Sequence, residues 1–168
     1  MKIHDYDPTL GQAFQGDISI TPIPAGIAIS TADEIAPVDG RLILQEGEVS
    51  GHHHAIVLRQ RNLQAQPRET GDPLMVTRDP KLRKALGGGA PKPPAATARM
   101  YRDPAAVAAM VSAGIMTRAD LAVACLVIVD APMVVSHEEH DGIRLPPGNY
   151  LIGRQVESAG AEDRIVCD

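Results

Sequence analysis

Residues Leu121 to Val129 read LAVACLVIV, an unbroken apolar run closed by the turn signal Asp130-Ala131-Pro132. The run falls far short of the roughly 20 apolar residues a membrane-spanning helix needs. Without polar alternation, it reads instead as a strand buried on both faces. The turn then starts a second strand, Met133 to Val135, which delivers His137.

Elsewhere the apolar residues recur with a period of two, the pattern of a strand with one buried face. Ile18 and Ile20 alternate with Ser19 and Thr21, and Ile27 and Ile29 with Ala28 and Ser30. Beyond Val38-Asp39-Gly40, Leu42 and Leu44 oppose Arg41, Ile43 and Gln45, and Ala55 to Leu58 resumes the pattern. The segment GEVSG (47–51) therefore joins two antiparallel strands. Pro146-Pro147-Gly148 makes a tight turn into a final alternating stretch, Asn149 to Glu157.

The middle differs in composition. From about Asn62 to Arg102 the chain is rich in Pro, Gly, Ala and positive charge, with a Gly87-Gly88-Gly89 triplet and a short strand expected at Leu74 to Thr77. No Lys-Ser or Lys-Thr follows the triplet, so it reads as a linker rather than a phosphate loop. Asp103-Pro104 supplies an N-cap and a first-turn proline, Val107, Met110 and Val111 share a helical face, and Gly114 ends the helix. We expect a mainly β fold, an antiparallel β-barrel or sandwich with one short α-helical insertion. The whole chain, 1–168, forms one domain carrying an insertion at about 62–119.

Composition narrows function by exclusion. The 168 residues include one Phe (Phe14), three Tyr and no Trp, and the net charge is −5 with acids and bases interspersed. Stacking platforms and a basic stripe are both missing, which argues against nucleic acid as a partner. Cys125 and Cys167 form neither a disulfide framework nor a CxxC pair, and Cys125 reads as a small buried hydrophobe. The N-terminus lacks the apolar core of a secretory signal. A soluble cytoplasmic or virion-associated protein follows, with no membrane partner.

Five of the six histidines fall in two clusters about eighty residues apart: His52, His53 and His54, then His137 and His140. Neutral imidazole is the commonest metal ligand. On a strand, His52 and His54 share a face and His53 points away. His137 and His140 suit one ion on a bent loop, with Glu138, Glu139 and Asp141 as oxygen ligands, imidazole acceptors or a general base. We take His52, His54, His137, His140 and Glu138 as candidate ligands for a divalent transition metal such as Zn, Ni, Fe or Mn. Solvated histidines and an exposed acidic turn are the plainer alternatives. Gly47, Gly51 and Gly148 serve turn geometry, and Asp17 is read as a turn or cap acid.

The combination of Gln15-Gly16-Asp17, GEVSGHHHAI and HEEHDGIRLPPGNYLIGRQVE resembles a family of small bacterial and phage-associated proteins. Its members share GE-x-x-GH-x-H and H-x-x-H…LPPG-x-Y…RQ patterns, and the resemblance brings no activity with it. More loosely, the H-x-H strand and P-x-G turn resemble the metal motifs of cupins. No Glu follows His54 at the cupin spacing, and Leu151 stands where the third cupin His would fall.

Three roles follow from these readings. The first is a metal-binding β-barrel protein. The second is a structural or assembly protein, homo-oligomeric or virion-associated, using the Pro/Gly-rich middle for contacts. The third is a metal-dependent enzyme with Glu138 or Glu139 as base. No recognisable Ser or Cys nucleophile motif supports acyl transfer.

Overall fold

A computed structural model describes residues 1–46, 52–58, 97–159 and 162–165. The strands are β1 (Ile3–Asp5), β2 (Ala13–Gln15), β3 (Ile18–Pro22), β4 (Glu34–Ile35), β5 (Arg41–Glu46), β6 (His53–Val57) and β7 (Thr97–Tyr101). After helix α1 (Pro104–Ser112) come β8 (Ala122–Val129), β9 (Met133–Ser136), β10 (Gly142–Leu145), β11 (Gly148–Arg154), β12 (Val156–Ala159) and β13 (Glu162–Ile165). Two units separate by their contacts, Met1–Arg59 with Ala95–Asp168, and Gln60–Pro94. The strand expected at Leu74 to Thr77 and the GEVSG connection lie outside the described residues.

Two open sheets make a β-sandwich, not a closed barrel. One has the order β1-β10-β9-β6-β5 and the other β2-β3-β11-β8-β7-β4, while β12 and β13 form a separate hairpin. Pairing is antiparallel except for β1 on β10. The sheets meet through aliphatic side chains. Ile18, Ile20, Met100, Leu126, Ile128 and Ile152 from one interlock with Leu42, Leu44, Ile56, Met133, Val135 and Leu145 from the other. Fully burying each such side chain is worth about 1.5–3 kcal/mol, so this layer holds the fold with little aromatic help. Tyr150 is the exception: its hydroxyl donates to the Pro146 carbonyl at 2.7 Å, and burial pushes its pKa up to about 12.

The apolar run becomes β8, a central strand flanked by β7 and β11, as its lack of alternation requires. A second core lies on the opposite face of the six-stranded sheet, where Ile23, Ala106, Met110, Cys125 and Leu151 pack together. Cys125 is fully buried there, and desolvation raises its thiol pKa to about 11. Asp103 caps α1 by accepting from Ala105 and Ala106 N–H, and Gly114 at φ +70 ends it.

Two expectations change. The Ile18–Thr21 alternation predicts one buried face, yet Ser19 and Thr21 are also nearly closed off, because residues beyond α1 cover the outer face of β3. Ile27 and Ile29 form no strand: Pro24 and Gly26 turn the chain, and these side chains pack against the second core. Within the span 62–119, β7 pairs along its length with β8, and α1 contributes Ala106 and Met110 to the second core. Among the described residues, no helix is long and apolar enough to cross a membrane.

Candidate functional site

The histidine cluster continues the same two-residue alternation that builds the core. Ile56 faces the inter-sheet core and His54, two residues earlier on β6, shares its face; both are completely buried. Val135 faces the core and His137, two residues later, is 5 % exposed. On the other sheet Ile18 pairs with Gln15, and Asp17 sits in the turn between them, 3 % exposed. Inward positions therefore switch from aliphatic to polar at one end of the sandwich.

The β2–β3 turn creates this placement. Gly16 adopts φ +54 at the first central position of the two-residue turn, a conformation that favours glycine and fits the right-handed twist of a hairpin. The backbone N–H of Gln155, just beyond β11, donates to the Asp17 carbonyl at 2.6 Å and pins the turn to the sheet.

Around that turn the rings gather. His54 stacks on His137 with centroids 4.2 Å apart, and His137 stacks on His140 at 4.6 Å, each pair inclined by 25°. His52 meets His137 edge-on at 5.7 Å and lies 3.7 Å from Glu139 Oε2. The fold thus brings His52, His54, His137 and His140 together. Glu138 is turned elsewhere: its Oε2 accepts from the backbone N–H of His53 at 3.0 Å, and this bond lowers its pKa. That contact fastens the loop between β9 and β10 to β6.

Hydrogen bonding sets the tautomers. Gln15 Nε2 donates to the carbonyls of Asp141 (2.6 Å) and Val135 (3.4 Å), which turns Gln15 Oε1 toward His54 Nδ1 at 3.0 Å. An amide oxygen can only accept, so His54 Nδ1 carries a proton. His54 Nε2 then faces Asp17 Oδ1 at 2.8 Å, either as the second N–H of an imidazolium donating to the carboxylate or as a lone pair accepting from a protonated carboxyl. On His137, Nδ1 accepts from the Glu139 N–H at 3.1 Å. As the side chains stand, no group of three or more His, Cys, Asp or Glu among the described residues is arranged to hold a metal ion.

Gln15 and Asp17 are the site residues that motif reading undervalues. Both lie in Gln15-Gly16-Asp17, and polar residues flanking a hairpin glycine read equally well as ordinary turn chemistry. His4, the remaining histidine, joins Asp141 at 3.1 Å on the exposed flank of this end. No protein-family model, curated protein or solved structure matches the chain.

Proposed function

We propose that the protein binds one divalent transition metal ion through Asp17, His54, His137 and His140, with His52 at the rim. The observation that carries this reading is the state of His54. A wholly buried imidazole has Nδ1–H held by Gln15, and its Nε2 is beside a buried carboxylate. A hydrogen-bond acceptor on the far nitrogen is the usual way a protein fixes a metal-ligating imidazole and raises its basicity. Three imidazoles and a carboxylate form a set suited to Zn, Ni, Fe or Mn.

Metal loading requires the stacked rings of His137 and His140 to turn edge-on. Both belong to the short segment between β9 and β10, outside the strands of either sheet, so the reading calls for side-chain rotation and an adjustment of that segment. The Glu139 N–H contact to His137 Nδ1 is the bond that this rotation exchanges. Metal analysis of untagged protein is the test, because a tag or an exposed histidine run gathers nickel during purification. One ion per chain, lost in His54→Ala, supports the reading. A metal-free protein whose melting temperature ignores added Zn and Ni defeats it.

A further inference from the structure

Ser19 and Thr21 alternate on β3 with Ile18 and Ile20, which face the main core, so their hydroxyls project from the opposite face of the six-stranded sheet. They are 6 % and 9 % exposed, and neither hydroxyl makes a hydrogen bond among the described residues. Buried polar groups are almost always paired, with protein or with something bound. Both of these residues line one cavity of about 140 Å³. We propose that this cavity is a binding site for a small tetrahedral oxyanion of the phosphate or sulfate type, independent of the histidine cluster.

The backbone makes room for the hydroxyls. Gly153 on β11 is the partner of Ser19, and a Cβ there would come within 2.9 Å of Ser19 Oγ, so the glycine leaves that hydroxyl its place on the cavity floor. Residues 115–117, which follow α1, and Leu121 complete the wall. A volume near 140 Å³ is about half of the roughly 300 Å³ at which small-molecule pockets begin. An ion of a few atoms fits such a space, and an organic body does not.

Charge decides the class of ion. Arg154, at the end of β11, is the one charged residue in the lining, and no carboxylate borders the cavity. Arg154 also borders a hollow beside Gln45 and Glu46, yet it forms no ion pair among the described residues. Asp120, close in sequence to the wall, is held by Arg118 Nε at 3.1 Å and Nη2 at 2.5 Å. The exposed Thr117 hydroxyl and Gln12 amide add neutral donors to the lining. A cation finds no carboxylate here, and a neutral polyol leaves the guanidinium unmatched; an oxyanion uses the guanidinium and the hydroxyls together.

Inorganic phosphate is the probe, titrated into the full chain at constant ionic strength with chloride as the balancing ion, and followed by calorimetry and amide chemical shifts. The expected result is saturable binding with shifts centred on Ser19, Thr21 and Gly153. Thr21→Val and Arg154→Gln should each weaken it about ten-fold or more, the effect of losing a hydrogen bond to a charged group. Thr21→Ser, which keeps the hydroxyl, should bind as the wild type does. Phenyl phosphate separates a free ion from the phosphate group of a larger molecule, and its binding should be at least about ten-fold weaker because the cavity excludes the ring. A protein that shows no saturable response holds water only in this cavity, and the proposal falls. It falls equally if phosphate binds with full affinity in both Thr21→Val and Arg154→Gln, or if phenyl phosphate binds as tightly as the free ion.

Discussion

Asp17 and Asp103 are both buried, 3 % and 6 % exposed, yet Asp17 faces an imidazole and Asp103 backbone amides. Asp103 Oδ1 accepts from Ala105 and Ala106 N–H at the start of α1, and Oδ2 accepts from Ser30 N–H at 2.6 Å. Its donors are backbone amides, which favour the ionised carboxylate, so Asp103 acts as a joint between a loop and a helix. Asp17 faces an imidazole whose second nitrogen is already committed to Gln15. On the proposed reading, a metal ion takes the place of the proton that those two groups otherwise share. Equal burial thus accompanies different chemistry, and the partner separates the two acids.

The largest effects should come from removing each carboxylate. Asp103→Ala deletes an N-cap and strands the Ser30 donor, a loss of about 3 kcal/mol. For a domain of this size that lowers the melting temperature by roughly 6–12 °C, and metal content should not change. Asp17→Ala should instead weaken metal binding by about 100-fold or more. Denaturant unfolding with metal titration checks both. The contrast between the two acids collapses if Asp103→Ala loses the metal, or if Asp17→Ala leaves it bound.

Gln15→Leu is the next step down. It keeps the side-chain volume and removes the acceptor for His54 Nδ1, so metal affinity should fall by about 10–100-fold. Competition with a chromophoric chelator measures the change. An unaltered affinity would show that the Gln15 contact orients nothing.

Much of this architecture is legible in the residues because period and burial are directly coupled. The run Leu121–Val129 and the Leu42/Leu44 alternation can satisfy their side chains in few other ways. Asp103-Pro104 and Gly114 mark the ends of α1 by the backbone geometry those residues favour. Ile27 and Ile29 mislead because alternation alone does not supply a neighbouring strand to pair with. At the site, the two histidine clusters are visible from scarcity alone, and the face shared by His52 and His54 follows from strand geometry. Gln15 and Asp17 are not visible in the same way. Their role depends on which strands become neighbours across the sandwich, and a polar hairpin turn has the same sequence whether it faces solvent or an imidazole.

Acidification offers a finer test of the contrast. The Ser30 N–H bond, ahead of those from Ala106 and Ala105, holds the Asp103 pKa below the ordinary carboxylate value. A lowered folded-state pKa stabilises the protein above the unfolded value, near 3.9, and that contribution disappears as pH falls through the folded pKa. Stability should therefore decline below about pH 4. In Asp103→Asn, which cannot titrate, this part of the decline should be absent. Parallel pH curves for the two proteins would show that Asp103 contributes nothing to it.

The smallest predicted effect concerns Glu138, where the sequence and the geometry suggest different work. Read from spacing, it is a ligand or a base next to His137. In the fold its carboxylate is exposed and accepts from the His53 N–H, a bond that the amide oxygen of glutamine also makes. Glu138→Gln should accordingly shift stability by no more than about 0.5 kcal/mol, the range of ordinary surface substitutions. Metal stoichiometry should remain at the wild-type value. Glu138→Ala, which deletes the acceptor, should loosen the segment carrying His137 and His140 and increase hydrogen exchange at His53 N–H. Loss of metal in the glutamine variant, with His53 exchange unchanged, would assign the carboxylate to the ion and remove its role as a fastener of the loop.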